Sequence, residues 1–261
     1  MSGGPDVLRH TVETLRAAGC VFAEEEADLL VGQAADDEAL ETLVRRRVSG
    51  EPLEVVLGWT RFDGLRVEVD AGVFVPRQRT AFLARQAIVI AQPGDVVLDL
   101  CCGTGAIGLA VATAVPDVEL HACDIDPAAV ACAARNVAAV GGHTWCGDLF
   151  APLPQRLHAR VDIVVVNAPY VPTARIGFMP TEARDHEPRH SLDGGVDGVQ
   201  IHRRVGDEVG AWLRPGGCVL VETSTDQADL TAEALSAAGL ATAIHASDEL
   251  QATVAVGRRL G

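Results

Sequence analysis

Four consecutive residues, Asn167-Ala168-Pro169-Tyr170, carry the groups needed to hold a planar nitrogen still. A carboxamide nitrogen is a poor nucleophile because its lone pair is delocalised into the carbonyl. The side-chain oxygen of Asn167 and the backbone carbonyl of Ala168 can each accept one hydrogen of an NH2 group. That fixes the nitrogen, turns its out-of-plane lobe toward an electrophile and stabilises charge as it develops. Tyr170 offers a flat face against the amide plane, and Pro169 stiffens the turn. No strong base is needed, since the nitrogen becomes acidic only once transfer is under way. These four residues are the candidate catalytic set, and their chemistry is methyl transfer to an amide or amine nitrogen.

A second set suits the donor of that methyl group. The apolar run Val96-Val97-Leu98-Asp99-Leu100 leads straight into Cys101-Cys102-Gly103-Thr104-Gly105-Ala106-Ile107-Gly108. Glycines at such a turn let the backbone approach a ligand, and the helix N-terminus beyond favours electron-rich groups. Gly103-x-Gly105-x-x-Gly108, with Asp124 about 20 residues on, also matches a dinucleotide fingerprint, so the turn alone does not separate NAD from S-adenosyl-L-methionine. Asp99 helps to decide, because an acid just before the turn repels a pyrophosphate but suits a methionine ammonium group. Asp124 is placed for two ribose hydroxyls and Asp148 for an adenine amino group. Each acid alone could equally cap a helix; together with the glycines they point to S-adenosyl-L-methionine.

The elements that must position these residues follow from periodicity. The first fifty residues form helices over 7–18, 24–35 and 37–48. Alternation over 55–61 and 65–69 around Asp63-Gly64 predicts a hairpin, and a domain boundary falls between Asp70 and Pro76. Beyond it, strands at 96–100, 118–123, 144–146, 162–166, 218–221, 242–245 and 253–256 alternate with helices at 106–114, 127–140, 199–213 and 227–238. This pattern implies a mostly parallel sheet covered on both faces. The last two strands are too close for a crossover helix, so they pair antiparallel. The expected fold is α/β, a class I methyltransferase (Rossmann-like) sheet with an antiparallel last strand, plus a small N-terminal helical domain and β-hairpin. Residues 1–75 would be the N-terminal domain and residues 76–261 the catalytic one.

Composition narrows the function. With a net charge of −15, the chain is poorly suited to phosphate backbones, which counts against nucleic acid as a partner. Seven cysteines show no metal-ligand spacing, and no apolar run has membrane-spanning length. The expectation is a cytoplasmic, metal-free, monomeric protein.

Asn at a strand tip followed by Pro and an aromatic marks methyltransferases acting on planar nitrogens, and here the chain resembles a known family. Ser49-Gly50-Glu51-Pro52-Leu53, Val73-Phe74-Val75-Pro76-Arg77 and above all the stretch Glu187-Pro188-Arg189-His190-Ser191-Leu192-Asp193-Gly194-Gly195-Val196-Asp197-Gly198 are similar to the HemK/PrmC glutamine methyltransferases of peptide-chain release factors. The resemblance implies cofactor contacts at Cys101, Cys102, Gly103, Thr104, Gly105, Asp124, Leu149 and Asn167. It implies substrate contacts at Asn167, Ala168, Pro169 and Tyr170. It also implies a Gly-Gly-Gln glutamine as methyl acceptor and a helical N-terminal domain that holds the release factor. Three departures stand out. Ala168 replaces a second proline, Gln78-Arg79-Thr80 stands where Pro-Glu-Thr is usual, and Cys101-Cys102 replaces a Gly-Thr or Gly-Ser pair.

Other residues have plainer readings. Cys102 is a small buried thiol rather than a nucleophile; His186 and His190 are loop hydrogen-bonders rather than substrate contacts; Arg45-Arg46-Arg47 is a solvated helix end; Trp59 and Phe62 pack the hairpin on the helices. The rival functions are a nucleic-acid amino methyltransferase, an NAD-dependent oxidoreductase and a silent cofactor-binding scaffold.

Overall fold

The computed structural model describes residues 5–179, 184 and 186–261; residues 1–4 of the expected N-terminal domain lie outside them. Helices α1 (Pro5–Ala17), α2 (Ala23–Gln33) and α3 (Asp37–Val48) bury Leu15, Leu30 and Leu40 against one another. The Asp36 carboxylate caps α3 by accepting from the Ala39 N–H at 2.8 Å. The end of α3 is less solvated than its arginines suggest. Arg47 reaches Glu26 on α2 at 2.6 Å with both side chains 10% exposed, and Arg46 holds Glu51 at 2.6 Å. These pairs clamp helices together.

The expected strand over 55–61 is in part a helix. Residues Leu53–Leu57 form α4 between Pro52 and a left-handed Gly58, burying Val56 and Leu57 in the helical core. Two adjacent valines look like a strand locally, but the helical turn places both buried side chains on the α1–α3 side. The hairpin follows as β1 (Trp59–Phe62) and β2 (Leu65–Glu68). Asp63 and Gly64 have φ of 46° and 83°, as a tight two-residue turn demands. Trp59 packs with the helices, whereas Phe62 and Val67 are wholly buried in the core of the sheet domain. The hairpin therefore pins the two units to each other. Asn136 fastens it further, accepting from the Glu68 N–H at 2.8 Å and donating to the carbonyls of Glu68 and Thr104.

A helix absent from the expectation, α5 (Ala81–Ile90), precedes the sheet. It has no side-chain cap at Thr80 and ends in Ile88-Val89-Ile90, so its local signal is weak. Burial of Leu83, Ala84 and Ala87 against the sheet compensates. Then come β3 (Val96–Leu100), α6 (Ala106–Ala114), β4 (Glu119–Asp124), α7 (Pro127–Val137), β5 (His143–Cys146), β6 (Val161–Val166), α8 (Gln200–Trp212), β7 (Leu213–Thr223), α9 (Ala228–Ala237), β8 (Leu240–Ser247) and β9 (Ala252–Arg259).

The sheet order is β5-β4-β3-β6-β7-β9-β8, with β9 antiparallel to both its neighbours. One face carries α5 and α6, the other α8 and α9. Parallel register aligns Leu100 with Cys123 and Val166, and Asp124 with Cys146. The loops that leave these strand tips therefore converge on one edge, where ligands bind in open α/β sheets. No helix among the described residues is long and apolar enough to cross a membrane.

Candidate functional site

Over that edge lies a cavity of about 630 Å³, a size that suits a small-molecule cofactor. Its wall includes Cys101–Thr104, Asp124, Asp148, Leu149 and Asn167–Tyr170, joined by Phe74 and Arg79 from the segment before α5 and by His190 from the loop after Tyr170.

The floor is the glycine turn. Cys101, Gly103 and Gly105 have φ of 56°, 53° and 75°. A cysteine in this left-handed region is strained. The Gly103 N–H donates to Asp124 Oδ2 at 2.9 Å and the Asp126 N–H to Oδ1 at 3.0 Å, so the Asp124 carboxyl is fixed at the rim. Burial raises its pKa against those two bonds.

Two residues expected to touch cofactor lie behind the wall instead. Asp99 is wholly buried; its Oδ2 accepts from the Gly108 N–H at 2.8 Å and its Oδ1 has no partner. Burial pushes this carboxyl up to about 8, so at neutral pH it is mostly uncharged and props the turn from beneath. Gly105 is the left-handed residue that starts α6, and a Cβ there would sit 3.2 Å from Ala133 and Val137. Gly108 is needed for packing, because a Cβ would meet Leu120 at 2.7 Å. The glycine pattern is thus partly a helix-packing pattern.

Asp148 lines the cavity, but its Oδ2 is held by Arg204 of α8 at 2.7 Å, a partner that sequence spacing did not reveal. Leu149 beside it adopts φ 46° and is buried. The Cys102 thiol is buried, and both burial and the neighbouring Asp99 and Asp124 push it well above the usual thiol range, which suits a filler and not a nucleophile. His190 stands at the rim 3.4 Å from Asp126, whereas His186 lies against Gly50.

In the loop after β6, neither the Asn167 carboxamide nor the Ala168 carbonyl is engaged by another described residue. Both residues line the cavity. Tyr170, in contrast, is held throughout. Arg79 Nη2 donates to its hydroxyl at 2.8 Å, the hydroxyl donates to Glu222 Oε1 at 3.2 Å, and Gln227 Nε2 donates to its carbonyl at 2.9 Å. Burial and the Glu222 carboxylate push the phenol up to about 12. Arg79, Glu222 and Gln227 were not among the expected site residues. The legible signal was an acid directly after the apolar run Cys218–Val221 of β7.

The stretch 187–198 is the brace of this loop. Val171 N–H bonds to the Leu192 carbonyl at 3.0 Å, and Gly194 N–H to the Val171 carbonyl at 2.8 Å. A Cβ on Gly194 would lie 2.7 Å from Tyr170 Cα, and one on Gly198 2.4 Å from the Tyr170 oxygen. These glycines let two backbones touch. Glu187, nearly buried, accepts from Arg77 at 2.6 Å and ties the brace to the segment that enters the sheet domain.

Comparison with known proteins agrees with this architecture. The family model described as methyltransferase small domain matches residues 65–181. The release factor glutamine methyltransferase of Mycolicibacterium smegmatis is 36% identical over 93% of this chain and 94% of its own length. That of Geobacter sulfurreducens is 35% identical over 84% of this chain and 77% of its own length. Among solved structures, a methyltransferase from Pyrococcus furiosus (TM-score 0.56, 14% identity, 76% of this chain and 91% of that one) and the ribosomal protein L11 methylase of Lactobacillus delbrueckii subsp. bulgaricus (0.51, 16%, 70% and 80%) share the class I methyltransferase fold. A sheet with its reversed strand, a glycine turn at the first tip and an Asn-Ala-Pro-Tyr loop at the fourth, in a chain this similar over nearly its whole length to such enzymes, make it a member of the release factor glutamine methyltransferase family.

Proposed function

We propose that the chain methylates the side-chain amide nitrogen of a glutamine in a peptide-chain release factor, with S-adenosyl-L-methionine as donor. The observation that carries this reading is that Asn167 and Ala168, whose acceptors no other described residue engages, line the same cavity as the glycine turn. The residues present fit the cofactor. A roomy cavity, a backbone cradle at Cys101–Thr104 and acids at Asp124 and Asp148 suit a phosphate-free, cationic nucleoside. Leu149 and Asn167 complete its wall. When bound, S-adenosyl-L-methionine supplies an electrophilic methyl carbon.

The protein's own residues do the rest. Asn167 Oδ1 and the Ala168 carbonyl accept the two amide hydrogens, fixing the nitrogen and favouring positive charge on it. Tyr170, clamped at hydroxyl and carbonyl, lies flat against the amide and limits its rotation. Pro169 has no N–H to compete for those acceptors. The loss of a second proline at Ala168 leaves the working carbonyl in place.

We assign residues 1–75 to docking of the protein substrate and residues 76–261 to catalysis. The hairpin and the Phe74–Arg77 segment support this, since they join the helical unit to the cavity wall. Burial of Cys102, Cys123, Cys132 and Cys218 as apolar fillers suits a reducing cytoplasm, and the net charge of −15 suits a protein client over a nucleic acid. We read the enzyme as a monomer.

The test is incubation with labelled S-adenosyl-L-methionine and a release factor, followed by mass mapping. The label should fall on the Gly-Gly-Gln glutamine, and Asn167→Ala should lower kcat by roughly 100- to 1,000-fold, as loss of a transition-state hydrogen bond does. Label on RNA, or a variant as fast as wild type, contradicts the assignment.

A further inference from the structure

We infer that Arg79 is a positioning residue for methyl transfer, holding the Tyr170 ring at the amide site through its bonds to the phenol and to Glu222. The inference rests on the reading of Asn167–Tyr170 as the amide-holding loop. Arg79 lies in Gln78-Arg79-Thr80, where the chain departs from the pattern of the family it resembles.

The geometry is a closed triangle. Arg79 Nη2 lies 2.8 Å from the Tyr170 hydroxyl, its Nε lies 3.5 Å from Glu222 Oε1, and the hydroxyl lies 3.2 Å from the same oxygen. Glu222 is 3% exposed, and besides Arg79 and Tyr170 the Thr80 hydroxyl favours its charged form. A carboxylate so placed is costly unless a cation stands beside it. The charged and titratable groups that face it are Arg79 from the turn before α5 and Tyr170 from the loop after β6; its neighbour across the strand pair is Val254.

Burial already raises the pKa of Glu222, and loss of the Arg79 cation would raise it further. The phenol would then lose the Arg79 bond outright, and its bond to Glu222 would weaken as that carboxyl loses charge. The Tyr170 backbone would stay, because Gln227 holds its carbonyl independently. Loss of Arg79 therefore frees the ring while sparing the loop. The effect belongs in kcat and not in cofactor affinity.

Tyr170 is the only tyrosine in the chain, so labelled tyrosine gives one ring signal in a nuclear magnetic resonance spectrum. R79Q, R79K, E222Q and R79Q/E222Q should be compared with wild type by that signal, by titration with S-adenosyl-L-methionine and by kinetics on a release factor. R79Q should shift or broaden the ring signal and lower kcat by about tenfold or more, with cofactor affinity within about twofold. Its kcat should rise with pH as Glu222 ionises. R79K keeps the charge with a single donor head and should fall between the two. R79Q/E222Q carries no buried charge, so it separates misfolding from lost positioning; it should recover part of kcat and lose the pH rise.

An unchanged ring signal and kcat in R79Q overturns the inference. So does a double variant no faster than R79Q with the same pH profile, or a drop in cofactor affinity equal to the drop in kcat. If wild type methylates no release factor, the proposed function fails, and the ring signal still decides the role of Arg79.

Discussion

Replacing Gly194 by alanine adds one methyl group between two backbone segments, and the structure allows its effect to be worked out. The added Cβ would lie 2.5 Å from the Gly198 oxygen and 2.7 Å from Tyr170 Cα. Carbon atoms prefer about 3.5 Å or more, so Tyr170 Cα must recede by about 0.8 Å, the difference between 3.5 and 2.7. Neither obstacle is a flexible side chain that can swing away. Both belong to backbone held by hydrogen bonds, Val171 to Leu192 and Gly194 to Val171 on one side and Gln227 to the Tyr170 and Asp197 carbonyls on the other. Overpacking of this kind costs about 1–3 kcal/mol. A shift near 1 Å at a group that orients a nucleophile lowers kcat by up to about 100-fold. Gly194→Ala should therefore lose about 1–3 kcal/mol in denaturant unfolding and about ten- to a hundredfold in kcat. Cofactor affinity should hold, because the glycine turn stands on a different strand tip. Gly210→Ala in α8, where a Cβ meets nothing within 4 Å, is the control and should keep full activity. A Gly194→Ala enzyme with wild-type kcat would mean that the 187–198 stretch does not support Tyr170.

Two further outcomes are expected. Cys101→Gly should raise the unfolding free energy by up to about 1 kcal/mol, seen as a higher denaturant midpoint at unchanged slope, because the cysteine stands at φ 56° where glycine is unstrained; a lower midpoint would show that thiol packing outweighs backbone strain. His202, wholly buried with Nδ1 on Thr231 and no partner at Nε2, is pushed down to about 4 by burial. Between the free imidazole value of 6.5 and 4 the unfolded chain takes a proton that the folded chain refuses, so stability is lost as the pH drops through that window, by up to about 3 kcal/mol in all. The stability of His202→Leu should decline less over the same window, and parallel curves for the two proteins would remove His202 as the cause.

Much of this protein is written locally. An unbroken apolar strand, a turn in which only glycine is comfortable and an apolar helix follow one another over Val96–Ala114, and their boundaries stand where periodicity places them. The reversed last strand follows from the shortness of the connection that precedes it. The reactive loop was legible because Asn167, Ala168 and Tyr170 act through their own atoms at a strand tip.

Other features are invisible until the chain closes. The α4 and α5 segments have weak or strand-like local signals and become helices because that shape buries Val56, Leu57 and Leu83 in cores made by distant residues. Asp99 looks like a ligand contact from its spacing, yet the roll of the turn puts it beneath the wall, where burial neutralises it. Arg204 on Asp148, Glu187 on Arg77 and the Arg79–Tyr170–Glu222 triangle each join residues more than fifty positions apart. Periodicity and capping encode contacts within a few residues of one another. Which buried charge meets which cation depends on how loops from separate strands fold over the same edge, and only the tertiary structure decides that.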